Sequence, residues 1–194
     1  NGLLFDGSGA EPRPGNLAIS GDTLAAAGDT GSARGRTEID AAGHAVAPGF
    51  INMLSWANEA LIHDGRSQSD LRQGVTLEVL GEGHSMGPWN ERIKAEQRVQ
   101  QGDIKYDIAW DTLDQYLEWL VHRGVSCNVA SFVGATTVRE YVIGYENRPP
   151  TEVELARMCD LVRAAMRAGA VGVSSALAYS PAAYAGTTEL AALA

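Results

Sequence analysis

From residue 48 onward the chain alternates short apolar runs with longer stretches of helical periodicity, and that alternation leaves few architectures open. Gly49 to Leu54 reads as a strand, followed by a helix around Gln68 to Arg72. Gln73-Gly74-Val75-Thr76 leads into a second strand, Leu77-Glu78-Val79-Leu80. Residues 90–106 are polar and are expected to lie outside the core. Asp111 can cap a helix whose Leu113, Leu117, Leu120 and Val121 recur at i, i+4, i+7 and i+8, with Gly124 as its stop. Val125 to Val133 is the next strand. Thr151 and Glu154 form a capping box, and the helix they open places Leu155, Met158, Val162 and Ala165 on one side before Gly169. Ala170 to Ser174 is a fourth strand. Strands separated by such excursions imply a parallel sheet with right-handed crossovers. A (β/α)₈ barrel typically needs about 250 residues, so this region supplies half of one.

Residues 1–47 follow another rhythm. Leu3-Leu4-Phe5 meets Asp6-Gly7-Ser8-Gly9, Asn16 to Ile19 meets Ser20-Gly21-Asp22, and Leu24 to Ala27 runs into Gly28-Asp29. Runs of this length between such turns predict a small antiparallel unit, closed by Gly43 to Pro48. Both chain ends read as cut: Asn1 leads straight into a strand without a Met, and Ala194 falls inside a helix starting near Thr187 or Thr188. The expectation is a fragment.

The formal charge of −9 excludes a nucleic-acid binder, because phosphate neutralisation needs clustered Lys and Arg. No apolar run reaches the roughly 20 residues that span a bilayer. Cys127 and Cys159 match no zinc or redox spacing and read as two buried thiols.

Several segments carry a family resemblance when taken together and in order. These are Asn1 to Gly9, Ala47-Pro48-Gly49-Phe50-Ile51, Gln73-Gly74-Val75-Thr76, Gly169 to Ser174, and Leu177-Ala178-Tyr179-Ser180-Pro181 followed by Tyr184-Ala185 and Thr188-Glu189-Leu190. The chain resembles the N-acyl-D-amino-acid deacylase (D-aminoacylase) branch of the amidohydrolase superfamily. The resemblance implies an α/β fold: the N-terminal part of a β-sandwich subdomain over residues 1–47, and the first half of a (β/α)₈ metal-dependent hydrolase barrel over residues 48–194. It also implies hydrolysis of the amide C–N bond of an N-acyl amino acid or related amide, with zinc at the C-terminal ends of the strands. The catalytic aspartate and two histidine ligands of the family would lie beyond residue 194.

The chain departs from the family where the branch reads Asp-x-His-x-His-x-Asp. Asn52, Leu54, Trp56 and Asn58 occupy those places. Leucine has no lone pair and the indole nitrogen only donates, so neither can ligate a metal. On strand two the family's cysteine ligand is replaced within Gly81-Glu82-Gly83-His84-Ser85, where Glu82 is the expected donor. A solvated loop acid is the competing reading. His84 is a weaker candidate ligand or a partner of one. Tyr179 is the expected substrate-binding residue, donating a hydrogen bond to the substrate carboxylate or the oxyanion, against a packing tyrosine. Trp56 and Trp89 are candidate pocket walls. His63 and Asp64 read equally as active-site loop or surface turn. Ser174 and Ser175 lack a neighbouring base, which disfavours a serine nucleophile.

A single-metal amidohydrolase with one zinc ion per subunit is therefore expected, since one zinc suffices to activate water near neutral pH. The alternative is a catalytically inactive barrel that binds ligands or partners. A homo-oligomer would cover the open edges of a half-barrel, and the cytoplasm is the expected compartment.

Overall fold

The computed structural model describes all residues 1–194, which separate into two compact units, Asn1–Gly49 and Phe50–Ala194. In the first, β1 (Gly2–Leu4), β2 (Arg13–Ser20), β3 (Thr23–Gly28) and β4 (Ala45–Val46) form one sheet in the order β3-β2-β1-β4. The β1/β2 and β2/β3 pairs are antiparallel, as the turn residues predict, and β4 joins β1 in parallel with Leu3 opposite Ala45.

The second unit is built on parallel strands. β5 (Phe50–Asn52), β6 (Val75–Leu80) and β7 (Asn128–Ser131) lie side by side in that order. The strand expected over 125–133 starts only at Asn128 and breaks at Phe132, resuming as β8 (Val133–Gly134). The break marks a change of partner: the Phe132 amide donates to Leu80 O, whereas the Val133 amide donates to Gly172 O. β8 then pairs in parallel with β9 (Val173–Ser174), the last two residues of the expected 170–174 strand.

Helices connect these strands. Between β5 and β6 lie α1 (Asn58–His63) and α2 (Gln68–Leu71). Between β6 and β7 lie α3 (Glu91–Gln100) and α4 (Leu113–Arg123), and between β8 and β9 lie α5 (Ala135–Val142) and α6 (Glu152–Arg167). A 3₁₀ turn, Ala182–Tyr184, precedes α7 (Thr187–Leu193). None of the helices is long and apolar enough to cross a membrane.

Residues 90–106 correct the sequence reading. They hold α3, opened by Asn90, whose side chain accepts from the Ile93 amide at 3.0 Å. One buried apolar side chain, Ile93, anchors an otherwise polar helix to the core, too sparse a signal for periodicity to register. The cap of α4 is Thr112 rather than Asp111, in a capping box with Gln115.

The core joins Leu61 of α1, Leu80 of β6, Ile93 of α3, Tyr116 and Leu120 of α4, Val133 of β8 and Met158 of α6. At its centre Trp110 contacts Tyr116, Trp119, Trp89 and Tyr106, with ring centroids 5.1 to 6.1 Å apart. Trp89 is thus a core residue and not a pocket wall. Cys127 is buried as expected, but Cys159 is only half-buried, donating to Ala192 O; both are free thiols.

The start of α6 is the capping box read from the sequence. Thr151 Oγ1 accepts from the Glu154 amide at 3.3 Å, and Glu154 accepts from the Thr151 amide at 2.7 Å. Arg148 also grips both Glu154 oxygens at 2.7 Å. These bonds, the Arg148 guanidinium foremost, lower the Glu154 pKa from its ordinary 4.5 to about 2. A depressed folded-state pKa means stability present above the unfolded value and lost as pH falls through the folded one. Glu154→Gln is therefore expected to flatten the loss of stability between pH 4.5 and about 2, read from melting temperatures across that range. An unchanged acid limb would show that Arg148 and Thr151 gain nothing from the charge.

Candidate active site

Parallel strands bring their C-terminal ends to one edge, and four ends meet there: Asn52 of β5, Leu80 of β6, Gly134 of β8 and Ser174 of β9. The chain leaves β6 through Gly81-Glu82-Gly83-His84. Gly81 sits at φ +92°, where an added Cβ would run into the Phe132 carbonyl oxygen. Gly83 sits at φ +66° with Ala176 Cβ 2.6 Å from where its own Cβ would be. Only glycine suits both positions, so between them the loop can present a single side chain, Glu82.

The backbone on either side of Glu82 is held from β9. Ser174 Oγ donates to Gly81 O and accepts from the Gly83 amide at 2.9 Å. From α5, the Thr136 amide donates to Gly83 O at 3.1 Å. With the His84 amide donating to Glu82 O at 2.6 Å, the loop's bonds between Gly81 and Gly83 are all made by its backbone, leaving the half-buried Glu82 carboxylate out of them.

His84 follows on the same loop but is engaged elsewhere. Its Nε2 lies 3.1 Å from Oε1 of Glu140 on α5, with the imidazole 49% exposed and the glutamate side chain 6%. With Nε2–H donated to that carboxylate, Nδ1 is the free ring nitrogen. Tyr179 stands in the loop after β9, 66% exposed. That loop abuts the Glu82 loop through the Ala176–Gly83 approach.

Leu54 and Trp56, just past β5, are 55% and 72% exposed. The Ser55 amide between them donates to Val79 O at 3.0 Å, extending the β5–β6 pairing towards Glu82. The segment just past β5 therefore exposes two side chains, Leu54 and Trp56, that carry no lone pair for a metal.

Glu78 belongs to a different layer. It is fully buried and accepts from Ser55 Oγ at 2.7 Å, Ser67 Oγ at 2.9 Å and Cys127 Sγ at 3.1 Å. Three donors replace the water that a buried carboxylate loses. Burial raises the Cys127 pKa, keeping it a neutral thiol able to donate. This node ties β6 to the segments just after β5, just before α2 and just before β7, and is structural. His63 ends α1 exposed, and Asp64, its C-cap, pairs with Arg66 at 2.8 Å, where that guanidinium holds the carboxyl well below the usual range.

Glu82 offers a metal one hard oxygen donor on a fixed backbone, which suits zinc. No group of three or more His, Cys, Asp and Glu side chains gathers anywhere in the chain to hold an ion.

Two contributors escaped the sequence. Ser174, which by sequence invites only a nucleophile reading, instead spans the Glu82 loop with its hydroxyl. Glu140 is on α5, which buries Thr136, Thr137, Arg139 and Glu140 along with its apolar side chains, so residue polarity does not predict its place.

No family model matches the chain. Individual proteins do. The chain is 34% identical over 193 residues to the D-aminoacylase of Alcaligenes xylosoxydans xylosoxydans, covering 97% of this chain and 39% of that protein. Among solved structures it matches a D-aminoacylase with a TM-score of 0.86 and 30% identity, over 99% of this chain and 40% of that one. That enzyme has a binuclear metal center, with one-metal activation and second-metal attenuation. The N-acyl-D-glutamate deacylase of Bordetella bronchiseptica, complexed with zinc and a phosphonate mimic of the tetrahedral intermediate, matches with a TM-score of 0.84 and 31% identity, over 100% of this chain and 40% of that chain. The chain thus spans about two fifths of the length of the relatives it matches.

Proposed function

Since the chain belongs to the D-aminoacylase branch of the amidohydrolase superfamily, we propose that its protein hydrolyses the amide C–N bond of N-acyl-D-amino acids with one zinc ion per subunit. In this reading residues 1–47 are a β-sandwich portion and residues 48–194 the first half of the barrel. The observation that carries it is the Glu82 loop, which presents one uncommitted carboxylate at the strand ends from a rigid backbone. When bound, zinc would supply Lewis-acid polarisation of the scissile carbonyl. The residues of this chain bind and orient. Glu82 contributes one ligand oxygen, and the exposed Tyr179 phenol donates a hydrogen bond to the substrate carboxylate or to the oxyanion.

Leu54 and Trp56 favour one metal over two, because neither side chain offers a lone pair. The one-metal activation of the related D-aminoacylase supports the same reading. Metal analysis of the whole protein is expected to find close to one zinc per subunit, and Glu82→Gln to lower that occupancy. Unchanged zinc in the mutant would remove Glu82 from the site. No zinc and no turnover of an N-acetyl-D-amino acid panel would leave the inactive, ligand-binding alternative.

A further inference from the structure

We infer that Ser174 is a positioning residue for Glu82: its hydroxyl bridges the backbone on both sides of the ligand and sets where the carboxylate stands. The inference rests on the assignment of Glu82 as a metal donor.

A side chain flanked by glycines has no neighbours of its own to hold it, and left alone such a loop would sample many conformations. Here the Thr136 amide holds Gly83 O, and one side chain holds the peptides on both sides of Glu82. The Ser174 hydroxyl uses its single proton on Gly81 O and a lone pair on Gly83 N, so donor and acceptor act on the two peptides that frame Glu82. No other side chain bonds both. Ser174 comes from β9, 92 residues beyond Glu82, and its own backbone is fixed by the parallel pairing of Gly134 with Ser174. β8 and β9 therefore define the position of a ligand carried by β6. Alanine at 174 would remove both bonds at once, leaving the two peptides to find other partners or water.

Hydrogen-bonding partners behind a ligand typically change metal affinity by about 10–100-fold when removed. The test measures zinc affinity by chelator competition in the whole protein for the wild type, Ser174→Ala, Glu82→Gln and the double variant, with thermal melts alongside. The expected result is zinc binding weakened at least about 10-fold in Ser174→Ala, and no further weakening when Ser174→Ala is added to Glu82→Gln. A group acting through Glu82 has nothing left to position once that ligand is gone. Ser174→Cys, close to serine in shape but a weak donor and acceptor, is expected to fall between wild type and alanine; it carries the test if the alanine variant does not fold. Weaker binding in Glu82→Gln but unchanged binding in Ser174→Ala would overturn the positioning role and leave the site assignment intact. Unchanged binding in Glu82→Gln would overturn both. A lowered melting temperature with unchanged zinc affinity would make Ser174 a structural residue only.

Discussion

Glu189→Leu is expected to destabilise the second unit by about 3–5 kcal/mol, the cost of stranding a buried charge. Arg139 and Glu189 are 1% and 4% exposed and join α5 to α7 through an Nη1–Oε2 contact of 2.6 Å. The guanidinium also donates from Nη2 to Glu146 O at 3.1 Å and Arg148 O at 2.6 Å, while its Nε has no partner. Arginine cannot escape by losing its proton, so without Glu189 a full cation would remain in the core with two carbonyls for company. Urea unfolding measures the loss. Arg139→Met in the Glu189→Leu background is expected to restore much of it, because removing both charges removes the desolvation penalty as well. A single-variant loss under about 1 kcal/mol would mean that water reaches the guanidinium.

That ion pair also shows where the sequence was legible. Elements with their own start and stop signals were read closely: α6 opens on the Thr151–Glu154 box as expected, and α7 starts at Thr187. The hairpin-like unit followed from its Asp-Gly and Gly-Asp turns. Elements whose character comes from the surroundings were missed. α5 buries its polar side chains from Thr136 to Glu140 together with its apolar ones, so the burial of Arg139 and Glu140 does not follow from residue type. α3 buries too few apolar side chains to display an amphipathic pattern. The Glu82 loop is legible from sequence because its two flanking glycines are local. Sequence could not place Ser174 or Glu140 there, since each reaches the loop across more than 50 residues of intervening chain. Pairing over that distance is decided by the parallel register, which no local residue pattern encodes.

Gly134→Ala is expected to lower kcat/KM at least about 100-fold while the protein still folds, because a displacement near 1 Å at a positioned group costs that much. The backbone of Gly134, at φ −77° and ψ 123°, is open to any residue, so alanine brings no conformational strain. What it lacks is space. The new methyl would run into the Gly83 carbonyl oxygen, with His84 Cα 2.8 Å away. Those are main-chain atoms of the Glu82 loop and cannot rotate aside as a side chain would, so the loop itself must shift. The shift would also break the Thr136 N–Gly83 O bond of 3.1 Å and pull Gly83 away from Ser174. Gly102→Ala serves as the control, since nothing lies within 4 Å of an added methyl there. The comparison uses turnover of an N-acetyl-D-amino acid and zinc content in the whole protein. Wild-type turnover in Gly134→Ala would mean that the Glu82 loop can move without consequence, and a site whose ligand tolerates such movement would not be built on that loop.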